Sequence, residues 1–325
     1  MTVRPPRETG TFREAPARTP LTWLYVPGDR PEVVARALGC GADVVVIDLE
    51  DAVAPDRKAR ALRATAELLG DPAPGPAPVH VRVNALDGPL AETEIRTLAA
   101  LPGLAGLRLP KVRGPADVHR AVAWATTDRV PDRAMADRGV GGTTADRGVG
   151  GTTADRGVGR VSPALYALLE SALGVEHAFA IAVAHPALHG IALGETDLCA
   201  ELGVRDDAGL AWPRSRTVVA ARAAGLAPPP QSVYPDVRDL DGLARSCAQG
   251  RALGFLGRVA IHPRQLPVIE AAHLPSPEEV AAAEQVVRAA AEGGGARALP
   301  DGRFVDAAVV AGARRVLSLA ARRPG

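Results

Sequence analysis

A chain of 325 residues suits one large or two ordinary domains. Apolar residues are 47% and charged residues 23%, a globular balance that excludes wholesale disorder. Basic residues number 38 against 37 acidic, for a formal charge of +1, and aromatics are 3%, so there is neither electrostatic surplus nor stacking surface for nucleic acid.

Along the chain, residues 1–20 carry several arginines and prolines but no apolar core of a signal peptide, and read as a disordered tail. Short β-branched runs then alternate with Ala/Leu/Arg-rich stretches. The runs are Trp23–Val26, Val44–Leu49, Val79–Val83, Leu107–Val112, Ala164–Leu169, Ile191–Leu193, Ser232–Tyr234 and Val259–Ile261. Continuous apolar runs suit strands buried on both faces, as in a parallel sheet. The intervening helices are predicted over Pro31–Leu38, Lys58–Leu69, Ala91–Leu101, Ala116–Ala125, Gly174–Ala184, Arg214–Ala224 and Leu240–Leu253. Eight strands alternating with helices predict an α/β fold of the (β/α)8 TIM-barrel type over residues 21–273. A doubly wound open sheet is the runner-up, but no GxGxxG follows the first strand.

One segment interrupts the alternation. ADRGVGGTT occurs at Ala136–Thr144 and again at Ala145–Thr153, and a third copy starts at Ala154. Nine residues are too few for a helical solenoid unit, so 132–160 reads as a disordered insertion without a catalytic role. Beyond the eighth run, PSPEE opens a helix reaching Ala291, a Gly-rich break follows, and a last helix runs to about Ala321. Residues 274–325 are therefore expected to form a C-terminal helical lid or arm. Three cysteines, Cys40, Cys199 and Cys247, fit neither a zinc nor a disulfide pattern and suggest a reducing, cytoplasmic setting. No apolar run reaches the roughly 18 residues of a membrane span.

Barrel strands end at one shared mouth, and here they end in polar residues: Asp48, Glu50 and Asp51, then Arg82 and Asn84, Lys111, Glu170, Glu195 and Asp197, Asp236 and His262. A plain core would not place so many ionisable groups at corresponding positions, since each costs desolvation unless paired or liganded. Carboxylates mixed with Arg and Lys suit a hard divalent cation and an anionic substrate. Each also has a bland reading. Glu170 can pair with an arginine, Asp197 can cap the next helix, His262 can brace a loop, and Arg82 can serve the crowded carboxylates of DLED. Lys111 and Lys58 are the chain's two lysines. Lys111 is the candidate for Schiff-base chemistry, though pairing with the acidic cluster is simpler.

The ordered motifs WLYVPGDRP, VVVIDLEDAVAPDRKARA, VRVN, LPKV, ALLESALGV, ALGETDL and VAIHPRQLPVI are recognisable. From about Leu21 to Ala320 the chain resembles the citrate lyase β-subunit-like enzymes of the HpcH/HpaI aldolase superfamily. The resemblance implies a TIM barrel with a C-terminal lid, assembled as a homotrimer or hexamer. It implies Mg²⁺, or Mn²⁺ in its place, held by Glu170 and Asp197, with Arg82 and Glu170 at the substrate. Asp48, Glu50 and Asp51 would sit behind the metal with Lys111 beside them, and Asp306 would be a lid acid serving a neighbouring subunit. The implied reaction is retro-aldol cleavage of a hydroxyacyl-CoA, such as citryl-CoA to acetyl-CoA and oxaloacetate. Malyl-CoA or citramalyl-CoA cleavage, another 2-oxo acid aldolase reaction, or a non-catalytic barrel binding a 2-oxo acid or CoA are the alternatives. Two departures bear on substrate choice: Leu173 stands where the family's ESARG has Arg, and Pro20-Leu21-Thr22 stands where many members have Arg-Arg-Ser.

Overall fold

The computed structural model describes residues 19–126, 163–291, 297–298 and 302–322. The expected tail up to residue 18 and the nine-residue repeats lie outside the described residues. The chain divides into two compact units, one of Tyr25–Cys40 with Val45–Pro229, the other of the chain up to Leu24 with Gly41–Val44 and Pro230–Gly325.

The larger unit alternates strand and helix. Its elements are β1 (Thr22–Pro27, its first half counted in the other unit), α1 (Pro31–Leu38), β2 (Val44–Asp48), α2 (Lys58–Leu69), β3 (Val79–Arg82), α3 (Ala91–Leu98), β4 (Leu104–Leu109) and α4 (Pro115–Ala125). There follow β5 (Leu165–Leu169), α5 (Ala172–Glu176), α6 (Ala178–Ala182), β6 (Leu188–Leu193), α7 (Glu195–Leu202) and α8 (Ala211–Ala223). The strands lie in the order β6-β5-β4-β3-β2-β1. The pairs β2–β3, β3–β4, β4–β5 and β5–β6 are parallel. All five residues of β2 are buried, as a strand covered on both faces requires. Pro27-Gly28 turns tightly over β2: a Cβ on Gly28 would lie 2.9 Å from the Leu49 side chain and 3.0 Å from that of Ile47, so a larger residue would have to displace them. The register sets Asp48 beside Arg82 and Arg82 beside Arg108, bringing polar strand ends level with one another.

In the smaller unit, Thr22, Trp23 and Leu24 pair in parallel with β7 (Arg258–Ala260). Helices α9 (Leu240–Ala252) and α10 (Leu266–His273) flank that strand in sequence, and α11 (Pro277–Ala291), the short strands β8 (Arg297–Ala298) and β9 (Phe304–Val305), and α12 (Ala307–Ala320) follow. Helices α11 and α12 share a small core of Ala283, Val286, Val305 and Ala313. Just past α12, Arg322 is ion-paired with Asp43 and bonded to the Thr19 carbonyl.

Two sequence expectations need correction. The run Ser232–Tyr234 forms no strand; its neighbour Gln231 makes a single bridge to Arg258. Prolines at 228–230 and 235 flank the run and lack the N–H donors of a ladder. The single helix expected over Gly174–Ala184 is two short ones, broken where His177 leaves helical geometry at ψ 6°. No helix among the described residues is long and apolar enough to cross a membrane.

Candidate active site

The site grows from the end of β2. Asp48 is 1% exposed. Its carboxylate accepts from the Glu50 amide at 2.9 Å and the Ala52 amide at 3.0 Å, winding DLEDA into a tight turn. From the neighbouring strand β3, Arg82 meets the same carboxylate with two prongs, Nε at 2.7 Å and Nη2 at 2.6 Å. Its third nitrogen, Nη1, lies 3.1 Å from Glu50 and 3.2 Å from Asp51. Burial works against this guanidinium's charge, but Asp48 outweighs it and raises the pKa above the ordinary arginine value. The Tyr25 ring packs 5.4 Å from the same guanidinium.

Lys111 follows β4 with φ of 53°, a left-handed conformation costly for a residue with a Cβ. Its Nζ donates to Glu50 at 2.8 Å. Burial raises the Glu50 carboxyl, while Arg82 and Lys111 pull it down without restoring its ordinary value. Behind the turn, Lys58 Nζ donates to the carbonyls of Leu49 at 2.7 Å and Glu50 at 2.5 Å. Asn84 donates from its side chain to Leu49 O at 2.9 Å and to Glu94 at 2.5 Å, and from its amide to Glu94 at 2.7 Å. Glu94 is 2% exposed, and burial raises its pKa against those bonds. Both lysines of the chain line one cavity of about 370 Å³ beside this turn, with Glu50, Asp51, Asn84 and Leu90.

Glu170 follows β5 directly and is 5% exposed. Its Oε2 is buried with no hydrogen-bond partner. Burial first, then the charge of Glu50, pushes its pKa up to about 8; Arg82 opposes and Asp197 adds to the rise. This side chain lies close against the start of α7, where a Cβ on Gly194 would come within 2.4 Å of Glu170 Cγ. Asp197 is exposed in the first turn of α7, with Gly194 rather than Asp197 at the cap position. Among the described residues, no group of three or more His, Cys, Asp or Glu side chains is arranged to hold an ion. Two carboxylates completed by water remain a fitting donor set for Mg²⁺, which keeps much of its hydration. The orphaned, acid-crowded oxygen of Glu170 is the kind of group that a hard cation relieves.

The other predicted residues take separate places. Asp306 belongs to the smaller unit, where its carboxylate accepts from Val309 N at 2.9 Å and caps α12. His262 accepts from the Arg264 amide at 3.1 Å, the loop-bracing role. Asp236 folds onto the Arg238 amide at 2.8 Å. Leu173 is half exposed on α5. Lys111 does not suit Schiff-base chemistry: burial opposes its charge, but the bond to Glu50 prevails and raises its pKa, where an amine nucleophile needs a lowered one. Arg82, expected at the substrate, is engaged by Asp48, Glu50 and Asp51. Sequence reasoning missed Glu94 and Lys58. Glu94 was findable, because Ala91, Glu94, Ile95 and Leu98 share the buried face of α3, and a carboxylate on such a face needs a partner.

Comparison with known proteins agrees on one lineage. A "(3S)-malyl-CoA thioesterase" of Cereibacter sphaeroides is 33% identical over 303 residues, covering 91% of this chain and 93% of the relative. The "Citrate lyase subunit beta" of Leuconostoc mesenteroides subsp. cremoris is 32% identical over 306 residues, covering 92% of each. The solved structure of CitE from Mycobacterium tuberculosis, in complex with magnesium, acetoacetate and coenzyme A, superposes with a TM-score of 0.71 at 31% identity, covering 94% of this chain and 99% of that one. Residues 21–263 match the model of one family, and the chain belongs to it: HpcH/HpaI aldolase/citrate lyase.

Proposed function

We propose that the protein is a Mg²⁺-dependent carbon–carbon lyase that cleaves a hydroxyacyl-CoA, citryl-CoA first and malyl-CoA or citramalyl-CoA next, into acetyl-CoA and a 2-oxo acid. The observation that carries this is Glu170: a buried carboxylate with an orphaned oxygen and a pKa pushed up to about 8, by burial first and then by the charge of Glu50. Glu170 and Asp197 are the residues that would hold the cation. When bound there, Mg²⁺ supplies a Lewis acid for the substrate hydroxyl and for the carbonyl it becomes. Membership of the family and the magnesium and coenzyme A held by the mycobacterial relative support the reading.

The chain's own residues supply the rest. Arg82, braced by Asp48 through Nε and Nη2, would have to turn Nη1 from Glu50 and Asp51 to the enolate thioester released when the carbon–carbon bond breaks. Glu50 and Asp51, whose charge Lys111 balances, would be the acceptors for water held by the cation. Asp306, from the C-terminal segment 274–325 of a neighbouring copy in a trimer or hexamer, would take the proton of the substrate hydroxyl as the carbon–carbon bond breaks and return it to the enolate carbon, giving acetyl-CoA. That assignment extends a closed (β/α)8 barrel over 21–273 and a lid beyond it, and it is supported by the resemblance of the sequence motifs.

The relatives named for malyl-CoA hydrolysis favour a second reading, in which water attacks the thioester itself. One experiment separates the two. Citryl-, malyl- and citramalyl-CoA are each incubated with the protein and Mg²⁺, and the products are resolved. The lyase gives a 2-oxo acid and acetyl-CoA; the thioesterase gives the intact hydroxy acid and free CoA. EDTA, Glu170→Gln and Asp197→Asn each abolish either activity if these residues hold the cation, and full turnover in any of the three overturns the assignment.

A further inference from the structure

We propose that Arg214 is a positioning residue for the cation site: through Glu195 it fixes the first turn of α7, and with it the placement of Asp197 against Glu170. This rests on reading Glu170 and Asp197 as the cation's ligands.

Helix α7 is poorly held by apolar packing. Of its eight residues only Leu198 is buried. It starts after Gly194 and ends at Gly203 in a left-handed conformation, so both ends are joined to the chain by its most pliable residue. A helix of two turns with one buried side chain does not keep a carboxylate in place by itself. Polar fastenings take over. Arg214 of α8 grips Glu195 with Nε at 2.8 Å and Nη2 at 2.7 Å. The same guanidinium grips Asp207 with Nη1 at 2.8 Å and Nη2 at 2.7 Å. Its side chain is 11% exposed and that of Glu195 16%. At the far end of α7, Glu201 accepts from the Ala172 amide at 3.0 Å, two residues past Glu170.

The consequence is geometric. Glu195 lies two residues before Asp197 on the same first turn, and the Glu170 side chain lies against Gly194, in the space a Cβ there would take. Any swing of the α7 start therefore changes Asp197 and Glu170 together. A planar guanidinium with two carboxylates in its fork resists such a swing in two directions; an ammonium, as a point charge on a flexible stem, does not. Arg214 need not touch substrate or cation for its loss to be felt at the site.

The test compares wild type, Arg214→Lys, Glu195→Gln and Glu170→Gln. Mg²⁺ affinity is measured by calorimetry, Mn²⁺ occupancy by electron paramagnetic resonance, and unfolding without metal by urea titration. Arg214→Lys and Glu195→Gln are expected to bind Mg²⁺ about 10- to 100-fold more weakly while remaining folded. Turnover in both should recover substantially at saturating Mg²⁺, a split between metal activation and kcat that a merely structural role would not give. Wild-type affinity in folded Arg214→Lys overturns the proposal while leaving the cation reading intact. Wild type that binds no better than Glu170→Gln overturns both.

Discussion

At the scale of single residues, Glu170 is the group whose behaviour can be worked out in advance. Its pKa in the folded, metal-free protein is about 8, against about 4.5 for an ordinary glutamate. A carboxyl raised on folding contributes stability that is present below its unfolded pKa and lost as pH rises through the folded one. Between pH 6.5 and 8 the metal-free wild type should therefore lose about 2 kcal/mol of unfolding free energy, at about 1.4 kcal/mol per pH unit. Glu170→Gln carries no proton to release at this position and should lose less than wild type across that window in urea titrations, by about that amount. A wild-type profile that matches the variant would show that Glu170 is ionised at neutral pH without a cation. The pairing of Arg82 with Asp48 is a matter of residues as well. The crowding of Asp48, Glu50 and Asp51 was visible in the sequence and demanded a counter-charge, and Arg82 and Lys111 were expected to answer it, as they do; which carboxylate each would meet was not legible. That choice depends on the register that sets Asp48 against Arg82, and on the left-handed turn that aims Lys111 at Glu50.

At the scale of elements, the site depends on how closely α7 approaches the end of β5. Gly194 sits at φ −98°, a conformation open to alanine, so its glycine is needed for space and not for backbone freedom. Gly194→Ala would put a methyl 2.4 Å from Glu170 Cγ, and the carboxylate would have to move. The expected outcome is a stability loss of about 1–3 kcal/mol from overpacking. Mg²⁺ affinity should also fall about tenfold or more in calorimetry. Undiminished affinity would place the cation elsewhere. The sequence pattern disclosed the strands β1 to β6 because each holds a short, largely buried apolar run, of which the β-branched and fully buried β2 is the clearest case. It overstated Ser232–Tyr234, where an apolar run looked like a strand but its flanking prolines had removed the donors. It passed over α7, because a helix with one buried residue leaves little periodicity to read. The site was thus legible where burial writes the pattern and illegible where ion pairs hold the structure.

At the scale of the whole molecule, buried histidines oppose the carboxylates. His80, on β3 against the Tyr166 ring at 4.8 Å, has its pKa lowered well below the ordinary value, by burial and then by Arg108. His273, fully buried at the end of α10, is lowered by burial against the bond to the Ile269 carbonyl. A base lowered on folding contributes stability that is complete above its unfolded pKa, near 6.5, and lost as pH falls toward the folded one. In wild type this loss overlaps with the gain from Glu170, whose slope has the opposite sign. The Glu170→Gln background removes its share of the overlap, leaving the smaller opposition of the raised Glu50 and Glu94. There, lowering the pH from 7 to 5.5 should cost on the order of 1–3 kcal/mol, from up to about 1.4 kcal/mol per unit for each histidine below pH 6.5. His80→Gln in that background should remove the part owed to the larger unit, and His273→Gln the part owed to the smaller. His80→Gln and His273→Gln profiles that both match the Glu170→Gln parent down to pH 5.5 would mean that both imidazoles accept protons in place, and that neither interior excludes the charge.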